Sequence, residues 1–311
     1  MRTVLITTAN GMFGGGLARE LAGAPDVQVR AMVRDRSKFT AEATNIEVVE
    51  GDMDRPESLA GPMEGVTNVF LAAPISDQIG PRYKNVVEAA KNSGQPHIAA
   101  IHGAVKHKGD ALEQTFDAGI EALKSSGLPW TLISPTSVME TALNAVEGTA
   151  PLGCVLSMTA DGKNALVANR DVAIATRVVV TGSGHDGKDY KITGPQLLDM
   201  EQICAAISKQ LGRTITYYDL PEDEFAAMML KNTEIKDPAV LEQMVIMHLR
   251  AWKEGRAEVI TDTFTELTGE PGTTLEDWLK TNHRLFDAKP TIAQRATGAL
   301  LRGKYGKYAK P

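Results

Sequence analysis

The sequence predicts an α/β fold: a doubly wound parallel sheet followed by a smaller, mainly helical C-terminal lobe. Three observations carry this. Short apolar runs alternate with helical patterns through the first 135 residues. Four glycines, Gly11, Gly14, Gly15 and Gly16, crowd the turn between the first apolar run and the first helical pattern. Beyond Pro135 the alternation weakens and methionine-rich helical stretches take over. Strands alternating with helices imply right-handed crossovers, so helices should cover both faces of one parallel sheet.

Taken in order, Arg2–Thr7 is an apolar run that reads as the first strand, and residues 14–22, apolar at helical spacing, read as the first helix. Residues 27–33 and 46–50 are strands. Residues 56–63 form a short helix behind Pro56, and 66–72 a strand. A helix over 83–91, a strand over 97–101, a helix over 112–124 and a strand over 130–133 complete the alternating part. After it come a helix over 171–180 and a strand over 189–192. The stretch "TGPQLLDMEQICAAISKQLG" is a turn and a helix, with Leu198 or Asp199 near its cap and Gly212 at its stop.

Residues 221–255 read as mainly helical and carry Met228, Met229, Met244 and Met247, which suit a core or an adaptable apolar pocket. The tail is basic, with Lys289, Arg295, Arg302, Lys304, Lys307 and Lys310 and no acid beyond Asp287. Ile292, Ala296, Ala299 and Leu300 form one apolar stripe there, which could dock on the body, on a second subunit or over a pocket, or else fray.

Composition narrows the function classes. The chain has 311 residues, 43% hydrophobic and 23% charged, enough for a sizeable core. Its net charge of −6 is diffuse, which argues against a nucleic-acid binder. Met1 leads straight into a strand-like segment, so no secretory leader is expected, and no apolar run approaches the roughly 20 residues of a membrane helix. Cys154 and Cys204 stand alone, with neither a disulfide framework nor a metal-ligand spacing, which suits a reducing cytoplasm. No Gly-x-Ser-x-Gly elbow and no Gly-Lys-Ser/Thr phosphate loop is present.

The glycine turn has a chemical reading. A strand-turn-helix at the start of a parallel α/β unit presents free N–H groups and a positive dipole end to an anion. Thr8-x-x-Gly11-x-x-Gly14 has the spacing of a dinucleotide fingerprint, with threonine where the first glycine commonly stands. Threonine does not readily take a positive φ, so this turn is expected to differ or to be strained. The second strand ends in "AMVRDRSK". There an acid would accept from a ribose 2′-hydroxyl, and arginine would pair with a 2′-phosphate. Arg34 comes first, with Arg36 and Lys38 behind it, while Asp35 keeps the hydroxyl alternative open.

The order TTANGMFG, VRDRSK, EVVEGDMDRPESL, VFLAAP, NVVEAAKNSG, SGLPWTLISPTSVMET and YKITGPQLLDMEQICAAISKQLGR resembles the NmrA-like branch of the atypical short-chain dehydrogenases and reductases, which bind NAD(P) on a Rossmann fold. The resemblance implies a nucleotide-binding unit over residues 1–135, with segments returning from about 150–200, and a substrate lobe and basic tail over most of 136–311. It implies that Thr8, Asn10, Gly11, Met12 and Phe13 hold a pyrophosphate, Arg34 and Lys38 a ribose phosphate, and Asp52 and Met53 the adenine. Ala72, Ala73 and Pro74 would follow the dinucleotide, and Pro135 and Thr136 would lie near the nicotinamide. NADPH is then the expected cofactor, ahead of NADH. The expected partner is a small apolar or aromatic acceptor such as an enone, quinone, imine or carbonyl, with a homodimer open and no metal, membrane or nucleic acid.

Ordinary short-chain dehydrogenases use a Tyr-x-x-x-Lys pair, and none of the six tyrosines here has lysine four positions later. The fifth strand ends instead in His102, which could donate a proton, hold a substrate oxygen, or only pack beside the cofactor. Lys106, His107 and Lys108 follow it, at least one of them a solvated loop charge. Where related reductases carry a lysine before the next helix, the nearest position is Glu113. The missing pair fits either a reductase or a redox sensor that binds dinucleotide without turnover.

Overall fold

The computed structural model describes residues 1–106, 111–143, 150–282 and 290–310. The strands are β1 (Arg2–Ile6), β2 (Val27–Val33), β3 (Ile46–Glu50), β4 (Asn68–Leu71), β5 (His97–Ile101), β6 (Trp130–Pro135), β7 (Cys154–Ser157), β8 (Lys188–Ile192) and β9 (Thr216–Asp219). Seven of them form one parallel sheet in the order β3-β2-β1-β4-β5-β6-β8, and β7 pairs with β9 in a separate parallel ribbon. Consecutive residues such as Val4, Leu5 and Ile6, or Val69, Phe70 and Leu71, are all buried, because a parallel sheet is covered on both faces.

Helices α1 (Met12–Leu21), α2 (Ala60–Met63), α3 (Ile79–Lys91), α4 (Ala111–Lys124), α5 (Met139–Ala142) and α6 (Asn169–Thr181) wrap this sheet. One core joins Val4, Ile6 and Phe70 to Leu17 and Leu21 of α1 and Val172 and Val179 of α6. The opposite core joins Leu5, Val69 and Leu71 to Tyr83 and Val86 of α3 and Ile120 and Leu123 of α4. Gly16 lets α1 and α6 approach: a Cβ there would sit 3.0 Å from Asn169 Nδ2 and 3.3 Å from Ala173 Cβ.

The remaining helices are α7 (Met200–Leu211), α8 (Glu222–Asn232), α9 (Pro238–Leu241), α10 (Met247–Lys253), α11 (Thr263–Thr268), α12 (Leu275–Asn282) and α13 (Ile292–Tyr305). Asp199 caps α7, accepting from Gln202 N at 2.8 Å while Gln202 returns a bond to Asp199 N, and Gly212 stops it with φ 62°.

Several boundaries differ from expectation. Helix α1 begins at Met12, so Gly14, Gly15 and Gly16 lie inside it. Helix α3 begins at Ile79, four residues before Tyr83, because Pro81 falls in the first turn, where its missing N–H costs nothing. Residues 56–63 split into a 3-10 turn (Pro56–Ser58) and α2. Strand β4 is shorter than expected, with its pairing to β1 confined to Asn68, Val69 and Phe70. The methionine-rich stretch breaks at Pro238 and again at a π-type turn (Glu242–Ile246). Strands β7 and β9 gave no sequence signal: each has four residues, and β7 is buried throughout, without alternation.

The tail docks on the body. Gly298 lies against Leu152 O, where a Cβ would come within 2.1 Å, and Tyr305 is buried. Arg302 donates to Leu152 O at 2.9 Å, and Lys310 N donates to Tyr217 O at 3.0 Å. The expected stripe is corrected: Ile292, Ala296, Ala299 and Leu300 face solvent, Ile292 at 89% and Leu300 at 73% exposure. The inward face is built instead from Gly298, Leu301 and Tyr305. Asp287 and Lys289 lie outside the described residues.

Candidate functional site

The strand order reverses between β1 and β4, and their carboxyl ends are tied together. Thr7 Oγ1 donates to Ala72 O at 2.8 Å and accepts from Ala72 N at 3.1 Å. Such a switch point leaves a crevice above the sheet, where open α/β folds bind ligands. The chain leaves β1 through Thr8, Ala9 and Asn10 into the N-terminus of α1, whose cap is Gly11.

Thr8 does not adopt a positive φ; among the described non-glycine residues only Gln95 and Ala160 do. The turn closes differently, by a bond from Gly11 N to Thr8 O at 2.8 Å. Gly14 is then demanded by the protein's own backbone, because a Cβ would lie 2.1 Å from Thr8 O. Gly11 itself is extended, with φ −80°. Its value is a side-chain-free approach to the helix end rather than an unusual backbone angle, since its own N–H is already given to Thr8 O.

A groove of about 550 Å³ opens at this helix end, lined by Asn10, Gly11, Met12, Lys38, Glu140 and Asn169 among others. Thr8, Met12 and Phe13 are half-buried and Asn10 is exposed. Asn169, from the start of α6, donates through Nδ2 to Met12 O at 3.0 Å. Glu140 Oε2 accepts from Asn169 N at 3.0 Å, and its Oε1 accepts from Trp278 Nε1 at 3.1 Å. Neither Glu140 nor Asn169 carried a sequence signal, since both reach the groove through partners more than a hundred residues away.

Arg34 and Arg36 are exposed at the carboxyl end of β2. Asp35 is committed locally: its Oδ1 accepts from Ser37 N at 3.0 Å and from Ser37 Oγ at 2.6 Å, and Lys38 Nζ lies 3.7 Å from Oδ2. The Ser37 bonds, ahead of the Lys38 charge, hold the Asp35 carboxyl below its ordinary pKa.

Beyond β3, Asp52 Oδ1 accepts from Asp54 N at 3.0 Å and its Oδ2 lies 3.5 Å from Arg55. Met53 is buried, its side chain in the α3/α4 core, and Asn85 Nδ2 donates to Met53 O at 2.8 Å. Beyond β4, Ala72 is buried, Ala73 half-buried and Pro74 exposed. Pro135 O accepts from Ala104 N at 3.0 Å; Thr136 is buried, with its hydroxyl donating to Ala165 O.

His102 ends β5 with its side chain 11% exposed. Its Nε2 lies 3.1 Å from Asp117 Oδ1 and 3.5 Å from Lys106 Nζ, and its ring meets Phe116 edge-on at 5.2 Å. A carboxylate only accepts, so the closer Asp117 contact assigns the hydrogen to Nε2. Burial, reinforced by the Lys106 charge and opposed by Asp117, pushes the imidazole below its ordinary pKa. Lys106 also lies 3.8 Å from Glu113 Oε1, so the two converge on this cluster. His107 and Lys108 lie outside the described residues. Arg256 donates to Lys106 O, which brings the C-terminal lobe over the β5–α4 loop.

Comparisons agree with this geometry. Residues 8–177 match the NAD(P)H-binding family. The chain is 28% identical over 278 residues to the (4-alkanoyl-5-oxo-2,5-dihydrofuran-3-yl)methyl phosphate reductase of Streptomyces griseus, covering 88% of this chain and 96% of that one. The crystal structure of the NADPH-dependent quinone oxidoreductase of Escherichia coli, complexed with NADPH, superposes with a TM-score of 0.81 at 25% identity, over 90% of this chain and 99% of that one. NmrA, a negative transcriptional regulator solved with NADP, shares the fold: TM-score 0.71 at 19% identity, over 96% and 98% of the two chains. Since the matched stretch is the one that builds the crevice, from the turn at Thr8 to the helix that carries Asn169, this chain belongs to the NAD(P)H-binding family.

Proposed function

We propose that the protein is an NADPH-dependent reductase that delivers hydride to a small apolar or aromatic acceptor, with enones and quinones the first classes to test. The observation that carries the reading is the groove at the head of α1, flanked by the cations that follow β2. The two enzyme relatives support the acceptor class, one a reductase of an unsaturated furanone and the other a quinone oxidoreductase.

The residues present fit a dinucleotide. The first-turn N–H groups of α1, from Met12 onward, suit a pyrophosphate, with Gly11 leaving room for it and Thr8, Asn10 and Phe13 shaping the turn. Arg34 and Lys38 suit a 2′-phosphate, while one Asp35 oxygen is turned to Ser37. Asp52 and the Met53 backbone would face the adenine, Ala72, Ala73 and Pro74 would follow the chain of the cofactor, and Pro135 with the Thr136 backbone would border the nicotinamide. NADPH, when bound, supplies the hydride.

His102 would stand beside that end of the site; in its imidazolium form it would give one proton to the reduced acceptor and return to the neutral ring, with Lys106 Nζ 3.5 Å from Nε2. The lobe beyond residue 136 would cover the acceptor and exclude water. Both cysteines are free and buried, and no helix among the described residues is long enough and apolar enough to cross a membrane. We place the enzyme in the cytoplasm, with a second copy of the chain as a further partner.

The missing Tyr-x-x-x-Lys pair favours one second reading, a dinucleotide-dependent redox sensor. Following NADPH absorbance with enones, quinones, imines and aldehydes separates the two. A reductase consumes NADPH, and His102→Phe lowers the hydride-transfer rate about 10²–10⁴-fold with cofactor affinity nearly intact. Cofactor binding without turnover on any acceptor would favour the sensor. Equal turnover in both proteins would remove His102 from the chemistry.

A further inference from the structure

Two loops and a helix meet near the carboxyl ends of β3 and β4. Arg82, on α3, donates from Nε to Asp54 Oδ1 at 2.8 Å and from Nη2 to Asp54 Oδ2 at 2.8 Å. Its third nitrogen, Nη1, donates to Ser76 Oγ at 3.0 Å and approaches Pro74 O at 3.5 Å. The Arg82 side chain is 15% exposed and the Asp54 carboxylate 43%, so two-pronged geometry rather than deep burial is what sets this pair apart. Asp54 follows the β3 loop, and Pro74 and Ser76 belong to the loop after β4. Val33 pairs with Glu50 and Gly51 N donates to Val33 O at 3.0 Å, so the loop that carries Asp54 leaves β3 beside Arg34 at the end of β2. Hydrogen bonding to Arg82, ahead of its charge and that of Arg34, holds the Asp54 carboxyl below its ordinary pKa.

An uncompensated carboxylate in that position would repel a ribose phosphate and compete with it for Arg34. We infer that Arg82 is a specificity-determining residue: by neutralising Asp54 it leaves Arg34 free to engage the 2′-phosphate, and so it sets the preference for NADPH over NADH. This rests on the assignment of Arg34 to the 2′-phosphate. Arg82 acts here as a positioning residue, through Asp54.

Dissociation constants for NADPH and NADH test this on the full chain, at low and moderate salt, for the wild type and for Arg82→Gln, Asp54→Asn, the double variant and Arg34→Ala. Arg82→Gln should lower the NADPH-to-NADH affinity ratio about fivefold to tenfold, less at higher salt. Adding Asp54→Asn should return the ratio to within about twofold of wild type, because the repelling charge is gone. A purely structural clasp predicts the opposite, that the double variant stays as impaired as the single one, and that result overturns the inference. An unchanged ratio in Arg82→Gln does the same. Should Arg82→Gln fail to fold, Asp54→Asn alone decides: a ratio held or raised supports the inference, and a ratio lowered overturns it. A wild type with no NADPH preference overturns the Arg34 assignment and this inference with it. A preference lost in Arg34→Ala but kept in Arg82→Gln overturns this inference alone.

Discussion

The indole of Trp278 donates to the carboxylate of Glu140 at 3.1 Å, across 138 residues of chain. Since the other Glu140 oxygen holds Asn169 N and both residues line the groove, helix α12 is fastened to the groove wall. Removing the carboxylate should therefore weaken two things together. Glu140→Ala is expected to cost about 1.5–3 kcal/mol in urea unfolding, the range for hydrogen bonds to a charged group, and to weaken NADPH binding. Trp278 fluorescence should respond to NADPH in the wild type. Full stability and affinity in the variant would mean the wall stands without Glu140.

Gly14 and Gly23 provide a contrast within one short stretch. An added Cβ at Gly14 lies 2.1 Å from Thr8 O, a backbone atom that cannot swing aside, whereas at Gly23 it meets nothing within 4 Å. Gly14→Ala should cost about 3 kcal/mol or more, or abolish folding. At Gly23, where φ is 75°, alanine should cost only the strain of the left-handed backbone, about 1–2 kcal/mol. Chemical denaturation ranks the two, and the reverse order would contradict the turn described.

Arg34 should govern cofactor choice. A charge-assisted bond to phosphate contributes about 1.5–3 kcal/mol, so Arg34→Ala should weaken NADPH binding roughly 10–150-fold and leave NADH nearly untouched. Titration with both dinucleotides measures this directly. NADH binding as tight as NADPH in the wild type would promote Asp35 as the ribose ligand.

Acid should destabilise the fold through its buried histidines. His102, His97 and His185 are all held below their ordinary pKa, in each case chiefly by burial. Between the depressed folded values and the unfolded value of about 6.5, the unfolded chain binds more protons, so stability falls as pH drops through that window. Asp171, raised by burial, acts with the opposite sign above its unfolded value. Urea midpoints from about pH 7.5 down to about 5.5 should decline, and less steeply in His102→Phe. A rise over that interval would mean that the folded protein holds these rings charged.

Truncation of the tail gives a structural control. Deleting residues 290–311 removes buried Tyr305 and the bond from Lys310 N to Tyr217 O. Burial of one large side chain contributes about 1.5–3 kcal/mol, so the melting temperature should fall by several degrees. NADPH affinity should change little, because no groove-lining residue lies in the tail. An unchanged melting temperature would show that α13 does not dock in solution.

Much of the nucleotide-binding unit was legible in the residues because its signals are local. Buried parallel strands are short continuous apolar runs, and Gly11 and Gly14 mark a strand-turn-helix by spacing alone. Even the basic run after β2 and His102 at the end of β5 are named by where their strands stop. Local signals failed where neighbours distant in sequence set the outcome. Pro81 concealed the start of α3, and the apolar stripe from Ile292 to Leu300 turned outward because Gly298 let the opposite face of the helix close on Leu152.

By itself, then, the sequence determined the doubly wound sheet, the strand ends where a dinucleotide can lie and the residue types waiting there. Tertiary structure alone decided which of those groups are free to act. One Asp35 oxygen is held by Ser37, the Thr136 hydroxyl by Ala165, and the Met53 side chain by the core, while Glu140 and Asn169 reach the groove from elsewhere in the chain and Arg82 clasps Asp54. The physical reason is that a polar atom's availability depends on whether folding has already given it a partner. Those partners lie up to 157 residues away, where no periodicity or motif records them.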